Sequence, residues 1–297
     1  MTLEADLALL RTSVGAAVVP RDVVRVHGPE AVAYLQGQLS QDVAAMAVGA
    51  SAPTFVLQPQ GKVDVWMRAS RIADDAFLFD TDPGWGERLI ERLTRFKLRT
   101  KADIEPLAWS MVVVRGPDAS LPSADVDEVV VGVVGSPGGY DVLGPGPTIP
   151  DGVAEVDCLA LEVLRIEAGA PRMGAEIDET TIPAETGVVD ASVSFTKGCY
   201  TGQELVARVD SRGGRAPRRI VRVSLPASAL PASTVPAVGT SLRHDGTEVG
   251  RLTSVAPDGG GVVALALLAR SVDTPCTVDV DGFGPASVEA LGATPTP

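Results

Sequence analysis

The spacing of apolar and polar positions changes period several times along the chain. Val23, Val24 and Val26 form a short β-type run that stops at Gly28-Pro29. Beyond it Ala31, Tyr34, Leu35 and Leu39 recur at helical spacing, so residues 21–43 read as strand, tight turn and helix. Alternation returns at Val63, Val65 and Met67 after a Pro59-Gln60-Gly61 turn. A second run, 76–79, follows Ala73-Asp74-Asp75, and together they predict a β-meander over 54–80. Leu89, Ile90, Leu93 and Phe96 make an apolar stripe that predicts a helix over 84–96. Between 110 and 150, the runs 111–114 and 129–134 alternate with Gly/Pro/Asp clusters and predict strands joined by long loops. Residues 159–168 read as a helix closed by Gly169 and Pro171, and 171–198 as a long irregular segment. The proline-broken stretch 226–237 is the best candidate for a loop or boundary. After it, short strands punctuated by Asp245-Gly246, Asp258-Gly259 and Asp281-Gly282 predict a small antiparallel barrel. The fold class is therefore α+β over 1–215, followed by an all-β domain over 216–297.

Composition and charge narrow the classes of function. Apolar residues make up 45% of the 297 and charged residues 21%, enough for a sizeable core. With only six Phe, three Trp and three Tyr, that core is built mainly from Val, Leu, Ala and Ile. A net charge of −13 argues against general nucleic-acid coating and against binding to anionic membranes. The longest apolar run, 262–269, falls far short of the roughly 20 residues of a membrane-spanning helix. Glu4 and Asp6 precede any basic residue, unlike the start of a secretory leader, and the expectation is a cytoplasmic protein. Cys158, Cys199 and Cys276 are odd in number and widely spaced, which predicts neither a disulfide framework nor a zinc site.

Three features carry candidate chemistry. The densest is 195–204, where Gly198 and Gly202 flank Cys199, Tyr200 and Thr201, with Lys197 just before. A cation beside a thiol favours the thiolate, the nucleophilic and metal-binding form. The competing reading is a small buried hydrophobe in a glycine-shaped turn. Second, Glu185 follows Ile182-Pro183-Ala184 in a loop, where a carboxylate can accept paired hydrogen bonds from an amino-substituted heterocycle or simply face water. Third, seven basic residues lie between Lys197 and Arg222 against Glu204 and Asp210. A second basic stretch runs through Arg88, Arg92, Arg95, Lys97, Arg99 and Lys101. Such patches on an acidic chain suit a local anionic ligand, or a solvated face. No P-loop, GxGxxG, GxSxG or HExxH is present.

Taken in order along the chain, these motifs resemble the YgfZ-type folate-binding proteins, relatives of the glycine-cleavage aminomethyltransferase (GcvT, T-protein). The KGCYTGQE run at 197–204 resembles the family signature. Val26-His27-Gly28-Pro29-Glu30-Ala31 and 35–43 (LQGQLSQDV) resemble its N-terminal motif, and Gln60-Gly61-Lys62 and Leu98-Arg99-Thr100-Lys101 its central region. Arg165-Ile166-Glu167-Ala168-Gly169, Pro183-Ala184-Glu185 and the barrel stretch Gly250-Arg251-Leu252-Thr253-Ser254 fall at the expected places.

The resemblance implies a cloverleaf of three subdomains around a central folate site, the first two interleaved and the last a β-barrel. It implies tetrahydrofolate as cofactor, including its polyglutamylated form, and a role in assembling or repairing iron–sulfur clusters in client enzymes. Folate and those clients are the implied partners, with no stable nucleic-acid or membrane partner and no resident metal. By position, Cys199 matches the family's signature cysteine, a reactive thiol near the folate with Lys197 beside it. Glu185 matches the glutamate that contacts the pterin, and Tyr200, Arg208 and Asp64 complete the implied cofactor-binding set. Two alternatives remain: a true aminomethyltransferase, or a folate- or client-binding module without chemistry. The transferase needs an acid just after the glycine pair of the central meander, and Asp64 lies earlier than that pattern wants.

Overall fold

The computed structural model describes residues 2–121, 128–132, 138–230 and 234–291. Helix α1 (Leu3–Thr12) starts at Thr2, whose hydroxyl accepts from the Ala5 amide at 3.4 Å. Strands β1 (Gly15–Pro20) and β2 (Asp22–His27) follow, then α2 (Ala31–Gln38), β3 (Ser51–Leu57), β4 (Val63–Ala73), β5 (Ala76–Thr81), α3 (Gly86–Lys97) and β6 (Asp103–Leu107). Next come β7 (Ser110–Arg115), β8 (Val129–Gly132), β9 (Gly139–Gly144), β10 (Ala154–Glu155) and α4 (Cys158–Glu167). A 3₁₀ turn (Pro183–Glu185), α5 (Val189–Ser192) and α6 (Gln203–Asp210) precede β11 (Arg218–Pro226) and β12 (Ser241–His244). The chain then forms β13 (Thr247–Asp258), β14 (Gly261–Ala269), β15 (Cys276–Val280) and β16 (Gly284–Ala290).

These elements make three lobes. One sheet has the order β3-β4-β5-β2-β6, a second β10-β1-β7-β9-β8, and the last six strands close into the barrel β11-β14-β13-β12-β15-β16. The alternation on β4 sends Val65, Met67 and Ala69 against Tyr34 and Leu35 of α2 and Leu89 and Leu93 of α3. On the opposite face of that sheet, Val23 and Leu78 pack on Met111, Val113 and Leu143 of the second sheet. The two sheets are interleaved in sequence, because β1 lies before the whole of the first sheet and β7–β10 after it.

In the barrel, Val and Leu fill the interior, and register shifts near Leu242 and Leu252 supply local bends that help it close. The outer face of β14 packs its Val263, Leu265 and Leu267 on α1 and α4. The apolar run at 262–269 is therefore a strand buried on both faces. No helix among the described residues is long and apolar enough to cross a membrane.

The predicted strand, helix, meander and barrel are present. Helices α1 and α6 and strands β1, β6, β10 and β11 carry no prediction above, and the irregular 171–198 contains the 3₁₀ turn and α5. Residues 133–134 of the expected strand, and 231–233 of the proline-broken stretch, lie outside the described residues. The barrel does not begin after that stretch: β11, which ends at Pro226, already pairs with β14 and β16.

Candidate functional site

Two adjoining cavities lie where the lobes meet. The larger, about 270 Å³, is bordered by Trp66 and Arg68 of β4, Asp80 of β5, Met111 and Arg115 of β7, and the segment after α4. The second, about 250 Å³, shares Ala168, Gly169, Val188 and Ala191 with it and reaches Glu185, Arg219 and Ile220. Trp66 is the flat surface of the larger cavity, its ring fixed by donation from Nε1 to the Ser192 hydroxyl at 3.1 Å.

The charges around the larger cavity are matched within the protein. Arg68 donates to Asp80 at 2.8 Å and to Asp141 at 2.7 Å, Arg21 pairs with Asp80 and Asp82, and Arg115 lies 2.8 Å from Asp141. Arg165 bridges Glu162 and Glu176, and Arg172 reaches Glu162. The Glu176 carboxylate in turn accepts from Thr253 and Ser254 of the barrel at 2.8 and 2.6 Å, joining the third lobe to the cavity wall. Burial alone would raise the Asp141 carboxyl, but Arg115 and Arg68 overcome it and hold it below the ordinary value. Each of the five lining guanidiniums is paired with a carboxylate, Asp80, Asp82 and Asp141 within the lining and Glu162 and Glu176 outside it, so none is left without a partner to attract an anion.

The six residues singled out in the sequence do not converge on one cavity. Glu185 borders the second cavity and is 2% exposed, but both its oxygens are engaged. Arg218 Nε donates to Oε1 at 2.8 Å and its terminal nitrogen to Oε2 at 3.0 Å, while the Ile182 amide also donates to Oε2. The carboxylate thus ties the 3₁₀ turn to the first barrel strand.

Asp64 borders neither central cavity. The register between β3 and β4 pairs Val65 with Val56 and Val63 with Leu57, so Asp64 is the extra residue of a β-bulge. The bulge accompanies its engagement with α3, where Arg88 lies at 2.7 Å and Arg92 at 3.4 Å. Trp66, two residues on, lines the larger cavity instead.

The signature segment forms an outer loop. The Cys199 thiol is free and exposed, as is the Arg208 side chain on α6. Lys197 donates to the carbonyl oxygens of Gln36, Leu39 and Gln41 at 2.7, 2.7 and 2.9 Å, which closes the C-terminal end of α2. Burial lowers its ammonium from 10.5 to about 8, with Asp42 opposing the shift. The Lys197 ammonium also lies 5.2 Å from the centre of the Tyr200 ring. Burial raises the Tyr200 phenol to about 12, and Gln203 accepts from the Tyr200 amide at the start of α6. The Thr201 amide donates to Gly37, so the signature and the N-terminal motif meet although about 160 residues separate them.

The residues missed by sequence reasoning are Trp66 and Arg68 of β4, Asp80 of β5, Arg115 of β7 and Asp141 of β9, spread over four strands. The one available signal was Trp66 and Arg68 alternating with the apolar Val65, Met67 and Ala69 on β4.

No family model matches the chain. It is 29% identical over 211 residues to the mitochondrial iron–sulfur cluster assembly factor IBA57 homologue of Pyricularia oryzae, covering 66% of this chain and 54% of that protein. It is 25% identical over 273 residues to an aminomethyltransferase of Lysinibacillus sphaericus, covering 78% and 71%. The chain spans about half the length of the IBA57 relatives it matches. Among solved structures, the glycine cleavage system aminomethyltransferase of Bartonella henselae superposes with a TM-score of 0.78 at 19% identity, over 97% of this chain and 88% of that one. The chain thus has the fold of the glycine-cleavage aminomethyltransferase and is similar in sequence both to an aminomethyltransferase and to iron–sulfur cluster assembly factors.

Proposed function

We propose that the protein binds tetrahydrofolate in the paired central cavities and supports the assembly or repair of iron–sulfur clusters in client enzymes, with Cys199 as its working thiol. The observation that carries the folate reading is a cavity whose lining arginines are all paired with carboxylates and whose wall is an oriented indole, in a chain with the aminomethyltransferase fold. The two cavities together suit a drug-sized ligand. Trp66 and Met111 would flank its flat ring, and its carboxylate tail would leave toward the half-exposed Arg172. Bound folate supplies one-carbon or reducing chemistry. Pterin contact with Glu185 requires the Arg218 pair to yield first.

The similarity to IBA57 proteins supports the iron–sulfur role. An exposed thiol on a loop clamped by Lys197 suits transient contact with a client better than chemistry inside the cavity. The transferase alternative wants an acid further along the central meander than Asp64, which is in any case engaged by α3. Glycine-cleavage turnover with a lipoyl partner is therefore expected to be absent.

The test is a tetrahydrofolate titration of wild type, Trp66→Leu and Cys199→Ser. Trp66→Leu should weaken binding about tenfold through loss of the stacking surface. Cys199→Ser should bind as wild type yet fail to support an iron–sulfur enzyme in cells lacking the protein. Absence of saturable folate binding removes the cofactor from this reading, and full in-cell activity of Cys199→Ser removes the thiol.

A further inference from the structure

A separate cavity of about 310 Å³ lies between α3 and the turn joining β3 to β4, and it shares no lining residue with either central cavity. Arg88, Arg92 and Arg95 stand on one face of α3 at positions four and three apart. Asp64 is the only carboxylate paired with them among the described residues, so one negative charge meets three positive ones.

Arg92 is the most constrained of the three, being 7% exposed and lying 4.0 Å from the Phe96 ring centre. Its terminal nitrogens donate to Gln38 at 3.2 Å and to the Leu57 carbonyl at 3.1 Å, but its buried Nε makes no hydrogen bond and faces Asp64 only as a 3.4 Å ion pair. Burial lowers every buried guanidinium. In Arg21, Arg68 and Arg165 the neighbouring carboxylates more than reverse it, whereas Arg92 stays below its ordinary value despite Asp64. Its charge is thus under-compensated, unlike those of the central lattice. Arg95, exposed at the mouth, makes no ion pair among the described residues.

The location adds meaning to the charge. The Gln58–Gly61 turn that walls this cavity packs its other side on the signature segment, with Gly61 against Gly202 and Leu205. Three successive residues at the end of α2 hold both sites together: Gln36 binds Lys197, Gly37 binds Thr201 and Gln38 binds Arg92.

We infer that this cavity is an oxyanion-binding site beside the Cys199 loop, taking a group with two or more carboxylate or phosphate charges. Arg95 supplies the donors that reach the ligand, and Arg92 beneath it supplies charge that Asp64 leaves unmatched. The group comes either from a small phosphorylated or polycarboxylate molecule or from acidic side chains of a partner.

Calorimetric titration of the full chain at low salt with pyrophosphate, and separately with a triglutamate peptide, tests the site. Saturable binding is expected, about tenfold weaker in Arg95→Ala because one charge-assisted contact is lost. Binding should be unchanged in Arg99→Ala and tighter in Asp64→Asn, which removes the competing carboxylate. A merely structural role for the cluster would not produce that tightening. Pyrophosphate binding alone identifies a small-molecule site, and peptide binding alone identifies a partner's acidic segment. No saturable binding of either probe, or binding insensitive to Arg95→Ala, overturns the inference. Because neither probe carries a pterin, failure here leaves the folate reading standing, and the reverse.

Discussion

Lys197 shows how one side chain can be misread from its neighbours. Adjacent to Cys199 in sequence, it suggests a thiolate partner, yet all three of its N–H donors go to carbonyl oxygens at the end of α2. A cation there also opposes the negative end of the helix. Lys197→Met should leave those carbonyls unmatched and cost about 2 kcal/mol in urea denaturation. The lowered ammonium value predicts a pH signature. Between about 8 and 10.5 the unfolded chain holds the proton and the folded chain does not, so folding stability rises with pH through that window. The stability difference between wild type and Lys197→Met should widen in favour of wild type from pH 8 to 10.5. A pH-independent difference would show that the ammonium is not desolvated.

At the scale of elements, the turn between β3 and β4 positions both the signature and the bulge. Gly61 has φ +84°, and a methyl group there would meet the Leu205 side chain of α6 at 2.3 Å. Gly202, with φ +82°, approaches the Gln58 carbonyl from the other side, where a Cβ would lie at 2.6 Å. These glycines let two backbones touch, so Gly61→Ala should cost about 2 kcal/mol by thermal denaturation and loosen the Cys199 loop. Faster alkylation of Cys199 in this variant would report the loosening, and an unchanged rate would mean that the loop is held by Lys197 alone. The meander itself was legible because alternation is local. The bulge at Asp64 was not, because one added residue reverses the facing of what precedes it and leaves the apolar count unaltered.

For the whole molecule, the Arg–Asp lattice couples the two sheets across the cavity. Asp141, on β9, accepts from Arg68, on β4, and faces Arg115 beside it. Asp141→Asn should cost about 3 kcal/mol, since it leaves two nearly buried guanidiniums short of a partner. The sign of the acid dependence follows from its depressed carboxyl. Its contribution is present above 3.8, the ordinary value, and is lost as pH falls through the lower folded value. The variant should therefore show a flatter loss of stability below that pH than wild type. Equal acid limbs would place the acid sensitivity elsewhere.

Period, turn chemistry and motif order determined the α+β character, the helices over 31–38 and 86–97, the barrel and the superfamily resemblance, because each depends on residues close in sequence. Tertiary structure alone decided which side chains meet. It gave Glu185 to Arg218 and Asp64 to α3, put Trp66 in the cavity wall, and left Cys199 outside. Such contacts join residues tens to more than a hundred positions apart. They are set by strand register and by the packing of lobes, neither of which a period of 2 or 3.6 encodes.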